Sequence, residues 1–302
     1  PCSIVAGPSP SGIAFFVTGT DAARIGPFVA VDGAQAATTA LQIADCGAPD
    51  LDGVSIFGHT GWGLTASGSP DLRIRECAID GGGGAVPANG EGLLLNPGCH
   101  GARLWGNLVR RQQGAAFLIR DCSDAWIGPG NRAIDNAGDG FAISDSQGGA
   151  TTRRATVQSA VAIGRNLTNQ VGFRFTHVDA RATNLTATRN GTGVLLNVGA
   201  RATLVNTISW GNVVDRNRDP GSSGSWYHGL LASSSGNGSP GSWSDTGMLV
   251  GPNPQFVAAA SGDVRLANGS PAVDSGLHAT PVGSGLPCVD AELQPRIRNA
   301  AI

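Results

Sequence analysis

Self-similarity at a short period constrains this chain more than any other feature. A small residue followed by apolar–any–apolar recurs as Gly92-Leu93-Leu94-Leu95, Phe117-Leu118-Ile119, Gly140-Phe141-Ala142-Ile143, Gly172-Phe173-Arg174-Phe175 and Gly193-Val194-Leu195-Leu196. The first apolar positions are 93, 117, 141, 173 and 194, so the steps are 24, 24, 32 and 21 residues. A second short run follows each first one: Leu72-Arg73-Ile74, Ala102-Arg103-Leu104, Ala125-Trp126-Ile127, Ala155-Thr156-Val157 and Ala202-Thr203-Leu204. A third follows as Leu108-Val109, Ala133-Ile134, Val161-Ala162-Ile163 and Thr207-Ile208, and it often ends at Asn or Gly, as at Asn136, Asn190 and Asn212. Such a unit cannot bury its own apolar side chains, so it must stack on its neighbours.

Three strands of three to five residues per period describe one coil of a solenoid. The expected fold is all-β: a right-handed parallel β-helix with coils of about 21–24 residues. The 46 glycines and the corner asparagines supply the left-handed conformations that tight turns need. The 32-residue step from Phe141 to Phe173 implies a loop inserted at a corner. Coils are expected over 1–212, Ser/Gly-rich inserted loops over 213–250, and a closing segment of the same domain over 251–302.

Composition narrows the function. The formal net charge is −2, which gives no general pull toward nucleic acid. All 20 basic residues are arginines, so chemistry that needs a lysine base or a lysine Schiff base is excluded. No apolar run is long enough to span a bilayer, and no transmembrane segment is expected. The chain opens abruptly at Pro1, as a mature or trimmed chain would. The six cysteines form no CxxC pair and no zinc-like spacing with histidine, so neither a structural metal nor another cofactor is expected. Cys77, Cys99 and Cys122 lie 22 and 23 residues apart and read as a buried ladder of thiols. His59, His100, His228 and His278 are scattered and expected at the surface.

The stretch Asn253-Pro254-Gln255-Phe256, Gly262-Asp263-Val264-Arg265-Leu266 and Gly269-Ser270-Pro271-Ala272-Val273-Asp274-Ser275-Gly276 carries a resemblance. It is similar to the closing segment of bacterial right-handed parallel β-helix proteins of the pectate-lyase-like superfamily. That resemblance implies a secreted or cell-surface setting and a longer natural chain. It does not fix a function, because the fold hosts lyases, hydrolases, epimerases and non-catalytic surface fibres.

Strand alternation assigns outward positions. On the first strand these are Leu94, Leu118, Ala142, Arg174 and Leu195, four of them apolar, so a cover is expected there. It is either the 213–250 segment, the C-terminal tail, or a protein partner or second copy of the chain. On the second strand they are Arg73, Arg103, Trp126, Thr156, Thr183 and Thr203, a polar and open face. Trp126 can stack on a sugar ring and Arg73 and Arg103 can clamp carboxylate or sulfate, unless the arginines simply pack on the tryptophan.

The chain therefore reads first as an extracellular or cell-surface scaffold that binds polysaccharide or another cell-surface component, without a complete catalytic set. The alternative is a lyase that cleaves uronate glycans by calcium-assisted β-elimination. Similar lyases carry calcium on an Asp-Gly corner, as at Asp139-Gly140, and place a base where Arg174 stands. Asp121 and Asp145, with Asp139, are the candidate calcium ligands, and His177 falls one coil beyond Asp145. A guanidinium, with a pKa above about 12, is a poor base.

Overall fold

The computed structural model describes residues 3–6, 12–26, 30–32, 38–82, 90–146, 153–233, 243–273 and 275–276. Cys2, Cys288, His278, Asp274 and the Ser/Gly run after Ser233 lie outside the described residues.

The chain winds into a parallel β-helix. Three ten-stranded sheets run its length, and neighbouring strands within a sheet are three elements apart in sequence except at one end of each, where they are consecutive or two apart. The apolar positions of the repeat fall into one register: Leu93 pairs with Phe117, Phe117 with Phe141, Phe141 with Phe173, and Phe173 with Val194. The long step does not break this column. Its extra residues fall in sequence between Ser144 and Arg153 and between Ile163 and Val171. Inside, the rings of Phe117 and Phe141 stack with centroids 4.5 Å apart, and those of Phe141 and Phe173 at 5.0 Å. Each fully buried ring contributes roughly 1.5–3 kcal/mol through burial.

The recurrent glycine that precedes the first apolar residue has a steric cause. A Cβ on Gly92 would lie 2.3 Å from Val109 Cγ1 and 2.3 Å from the carbonyl oxygen of Ala116. The chain enters the first sheet here by pressing its backbone against the third sheet of its own coil. The opposite corner of the strand turns through left-handed residues, with φ of 57° at Asp121 and 53° at His177.

Two expectations change. The segment 213–250 does not leave the solenoid as inserted loops where it is described. Val214–Arg218, Ser223–Tyr227 and Leu230–Leu231 lay down strands on the three sheets, and Trp243–Thr246 and Leu249–Val250 extend two of them. The reason lies in contacts around Arg216. Arg216 occupies the inward column after Val194, is buried, and pairs bidentately with Asp245 at 2.7 and 2.8 Å. Its guanidinium lies 5.7 Å from the ring centroid of Trp226 and 5.1 Å from that of Trp243. The apolar column thus ends in a charged, aromatic-lined plug.

His59 is the second change. It is buried rather than superficial, because its ring reaches inside the corner and meets Gln112 Oε1 at 2.9 Å. Burial lowers its pKa, against the opposing hydrogen bond from Gln112. Cys46, Cys77, Cys99 and Cys122 are buried free thiols, and burial pushes the Cys77 thiol up to about 11.

The closing segment folds back as an antiparallel hairpin of Phe256–Ala258 and Asp263–Leu266. Val264 packs with Val161 and Ile163 on the outer face of the third sheet, alongside Ile134 and Phe256. Arg189 donates to the carbonyl of Ala260 at 3.1 Å, and Arg132 donates to that of Gly262. The described tail therefore covers the third sheet. On the first sheet, Leu94 and Ala142 are buried while Leu118 and Leu195 are partly exposed.

Candidate functional site

The second sheet builds the open face. Its central outward column runs, rung by rung, Arg73, Arg103, Trp126, Thr156, Arg181, Thr203, Ser225 and Ser244. Arg73, Arg103 and Trp126 stand side by side on three successive rungs. The position expected for Thr183 belongs to Arg181. Thr183 pairs instead with Gln158 and Val205, two residues along the strand, where it is buried. Alternation fixes which side a residue faces but not which of two same-side residues lies in a given column. The six-residue strand Val178–Thr183 therefore hid the arginine.

Arg73 and Arg103 are exposed, and neither has a carboxylate within ion-pair distance among the described residues. Like charges facing each other across neighbouring strands are destabilising. Trp126 is half-buried and anchored by its indole N–H, which donates to Gln158 Oε1 at 3.0 Å. The expected packing of arginine on tryptophan occurs one column over. Arg75, held by Asp50 and Asp52, lies 5.9 Å from the ring centroid of Trp105. Trp105 in turn meets Trp126 at 6.2 Å with planes tilted by 50°. Trp105 was legible as an outward residue two places after Arg103 in Arg103-Leu104-Trp105. The result is an aromatic pair flanked by two arginines without acidic partners.

Beyond Trp126 the same face sinks into a groove of about 600 Å³. Thr156, Arg181, Thr203 and Ser225 form its floor, with Arg154 and Arg201 along one side. Arg154 pairs with Asp124 at 2.8 Å, and Asp179 stands between Arg154 and Arg201 in register.

The residues of the lyase alternative are arranged differently. Arg174 Nε donates to Asp139 Oδ2 at 2.6 Å and Arg174 Nη2 to Oδ1 at 3.2 Å, while the amide of Val171 donates to the same Oδ1 at 3.1 Å. Asp139 spends its oxygens on this chain, and the guanidinium of Arg174 is taken up by that carboxylate. Asp121 and Asp145 do stack on neighbouring coils, with His177 next: its Nδ1 lies 3.3 Å from the carbonyl oxygen of Asp145. Both carboxylates are buried. Ser146 donates its N–H and its Oγ–H to Asp121, and Asp145 is 3.3 Å from Arg153 Nε. Burial raises the Asp121 pKa, but the two Ser146 hydrogen bonds, together with Asp145 and the charge of Arg153, outweigh it and leave it lowered. Asp139 sits at the entrance of its strand and Asp145 beyond the exit, six residues away, or roughly 20 Å of extended chain. Asp121, Asp139 and Asp145 therefore do not converge as one calcium ligand set.

No family model matches the sequence, and no curated protein matches it. No helix among the described residues is long and apolar enough to cross a membrane. Among solved structures the chain is similar to the Dettilon tailspike protein, at 12% identity and a TM-score of 0.35. That similarity covers 80% of this chain and 61% of the tailspike chain, so this chain spans less than two thirds of that protein's length.

Proposed function

We propose that the chain is an extracellular or cell-surface scaffold, of the bacterial pectate-lyase-like kind its closing segment resembles, that holds a polysaccharide on the outer face of the second sheet. The observation that carries this reading is the stack of Arg73, Arg103 and Trp126 on successive rungs of an exposed face. Trp126, fixed at its N–H and braced by Trp105, offers a rigid ring to the apolar side of a sugar. The two arginines offer planar forks to carboxylate or sulfate. The body behind them is a stack of in-register coils, which holds these groups at a fixed spacing.

The test is calorimetric titration against a panel of neutral, uronate and sulfated polysaccharides. At least one binds, and Trp126→Ala weakens it about tenfold, the loss of about 1.4 kcal/mol of stacking. Absence of binding to the whole panel sinks the proposal. The same uronate samples, supplied with calcium, are followed by ultraviolet absorbance. A rise caused by unsaturated product, and abolished by Arg174→Ala, replaces the scaffold reading with the lyase.

A further inference from the structure

We infer, resting on the glycan-binding reading above, that the groove beyond Trp126 is a second subsite, and that the ligand is an acidic polysaccharide lying along the solenoid axis. The groove continues the column of Arg73, Arg103 and Trp126, because Trp126 and Thr156 are paired neighbours and Thr156 lies on the groove floor. A chain seated on Trp126 and running along the rungs enters it directly. From Arg73 to Ser244 the column crosses seven rung spacings, or roughly 34 Å at about 4.8 Å each.

The floor alternates in chemistry. Arg181 stands between Thr156 and Thr203, followed by Ser225, so one guanidinium is bracketed by hydroxyls. This pattern suits a sugar chain that presents an anionic group between neutral hydroxyl-bearing stretches. Arg201 stands one rung beyond Arg181 along the edge column, exposed and without a carboxylate at ion-pair distance among the described residues. Three arginines line the groove against Asp124 and Asp179, while the protein as a whole carries a formal charge of −2. The groove lining thus carries a formal charge of +1 (three arginines less two aspartates), opposite in sign to the molecule as a whole. A nucleic acid would gain from the same charges, but the molecule's net negative charge opposes it elsewhere on the surface.

The experiment titrates the full chain with oligogalacturonates and sulfated oligosaccharides of increasing length, with neutral dextran fragments and a single-stranded DNA as comparators. For the parent protein, affinity for acidic oligosaccharides rises with length and falls with salt. In Arg181→Gln/Arg201→Gln, long acidic chains lose at least tenfold in affinity, whereas short ones, which fill only the Arg73–Trp126 stretch, bind as before. Arg181→Lys, which keeps the charge, retains most of the salt dependence. Circular dichroism of each variant confirms the fold.

Three results overturn the inference while leaving the scaffold reading standing. The double variant binds long acidic chains as tightly as the parent does, although Trp126→Ala weakens them. Dextran binds as tightly as the acidic chains. DNA binds as tightly as acidic glycans of equal charge. Failure of every glycan to bind removes both readings together.

Discussion

At the scale of single residues, the chain spends its few buried charges at places with a visible task. Arg216 holds a core position, and Asp245, which is partly exposed, answers it from the last strand of the second sheet. Removing one partner of a buried pair leaves a charge stranded, whereas replacing the charge by an apolar group of similar volume is close to neutral. Asp245→Ala is therefore expected to destabilise the fold by about 2–3 kcal/mol, discounted for the exposure of Asp245. Arg216→Met is expected to cost less than that, since it continues the column of Phe173 and Val194. Urea-unfolding midpoints compare the two, and an equal loss in both variants contradicts the plug.

His59 makes a second prediction. Its folded pKa lies below the ordinary value of 6.5, so the unfolded chain binds the proton more readily. The sign follows from linkage: stability is complete above about pH 6.5 and is lost as pH falls from there toward the folded pKa. Thermal melts between pH 7 and pH 5 should show a decline in midpoint that His59→Asn removes. A decline of the same size in the variant assigns it to other groups. Glu91, whose pKa burial raises, acts in the opposite direction nearer its own range, and comparing the two proteins cancels it.

At the scale of elements, what could be read from the sequence was the register of the core, and the reason is steric. Gly92, Gly140, Gly172 and Gly193 mark where the backbone must press inward, and the apolar residue after each falls into one column. The arginines and tryptophan of the second sheet followed from alternation alone, and Arg73, Arg103 and Trp126 stand where that places them. The last full coil was not legible. Val214-Asp215-Arg216-Asn217-Arg218 breaks the apolar alternation that identifies a strand, and its neighbours are rich in serine and glycine. What makes it a strand is distant in sequence: Trp226, Trp243 and Asp245 converge on Arg216 only once the coil has closed. Arg181 and the groove were missed for a different reason, since alternation cannot say where along a six-residue strand a column falls. The hairpin of the closing segment carried a recognisable motif, but no periodicity in it points to the third sheet as the surface it covers.

At the scale of the whole molecule, the coils interact mainly with their nearest neighbours, so stability approximates a sum over rungs and interfaces. That additivity can be tested by excision. Deleting residues 117–140 removes one 24-residue period and presents Phe141 to Leu93 in the place of Phe117. The shortened chain is expected to keep a cooperative melt and a β-sheet spectrum, with reduced stability. Deleting only 117–128 shifts the corners out of phase and is expected to abolish the melt. Loss of structure in both deletions would mean that the coils are not interchangeable units. The excised period contains Trp126, so the first deletion should also lose affinity for any glycan that the parent binds.

The two ends of the first sheet differ from its middle. At the beginning Ser3–Ala6 lies antiparallel on Ile13–Thr18, reversing the polarity that every later strand of the sheet obeys. At the far end the core column closes on a guanidinium instead of another ring. Among the described residues the coils are therefore interchangeable only between these two rungs: a swap of two middle coils leaves ring against ring, whereas a swap with either boundary rung sets unlike against unlike.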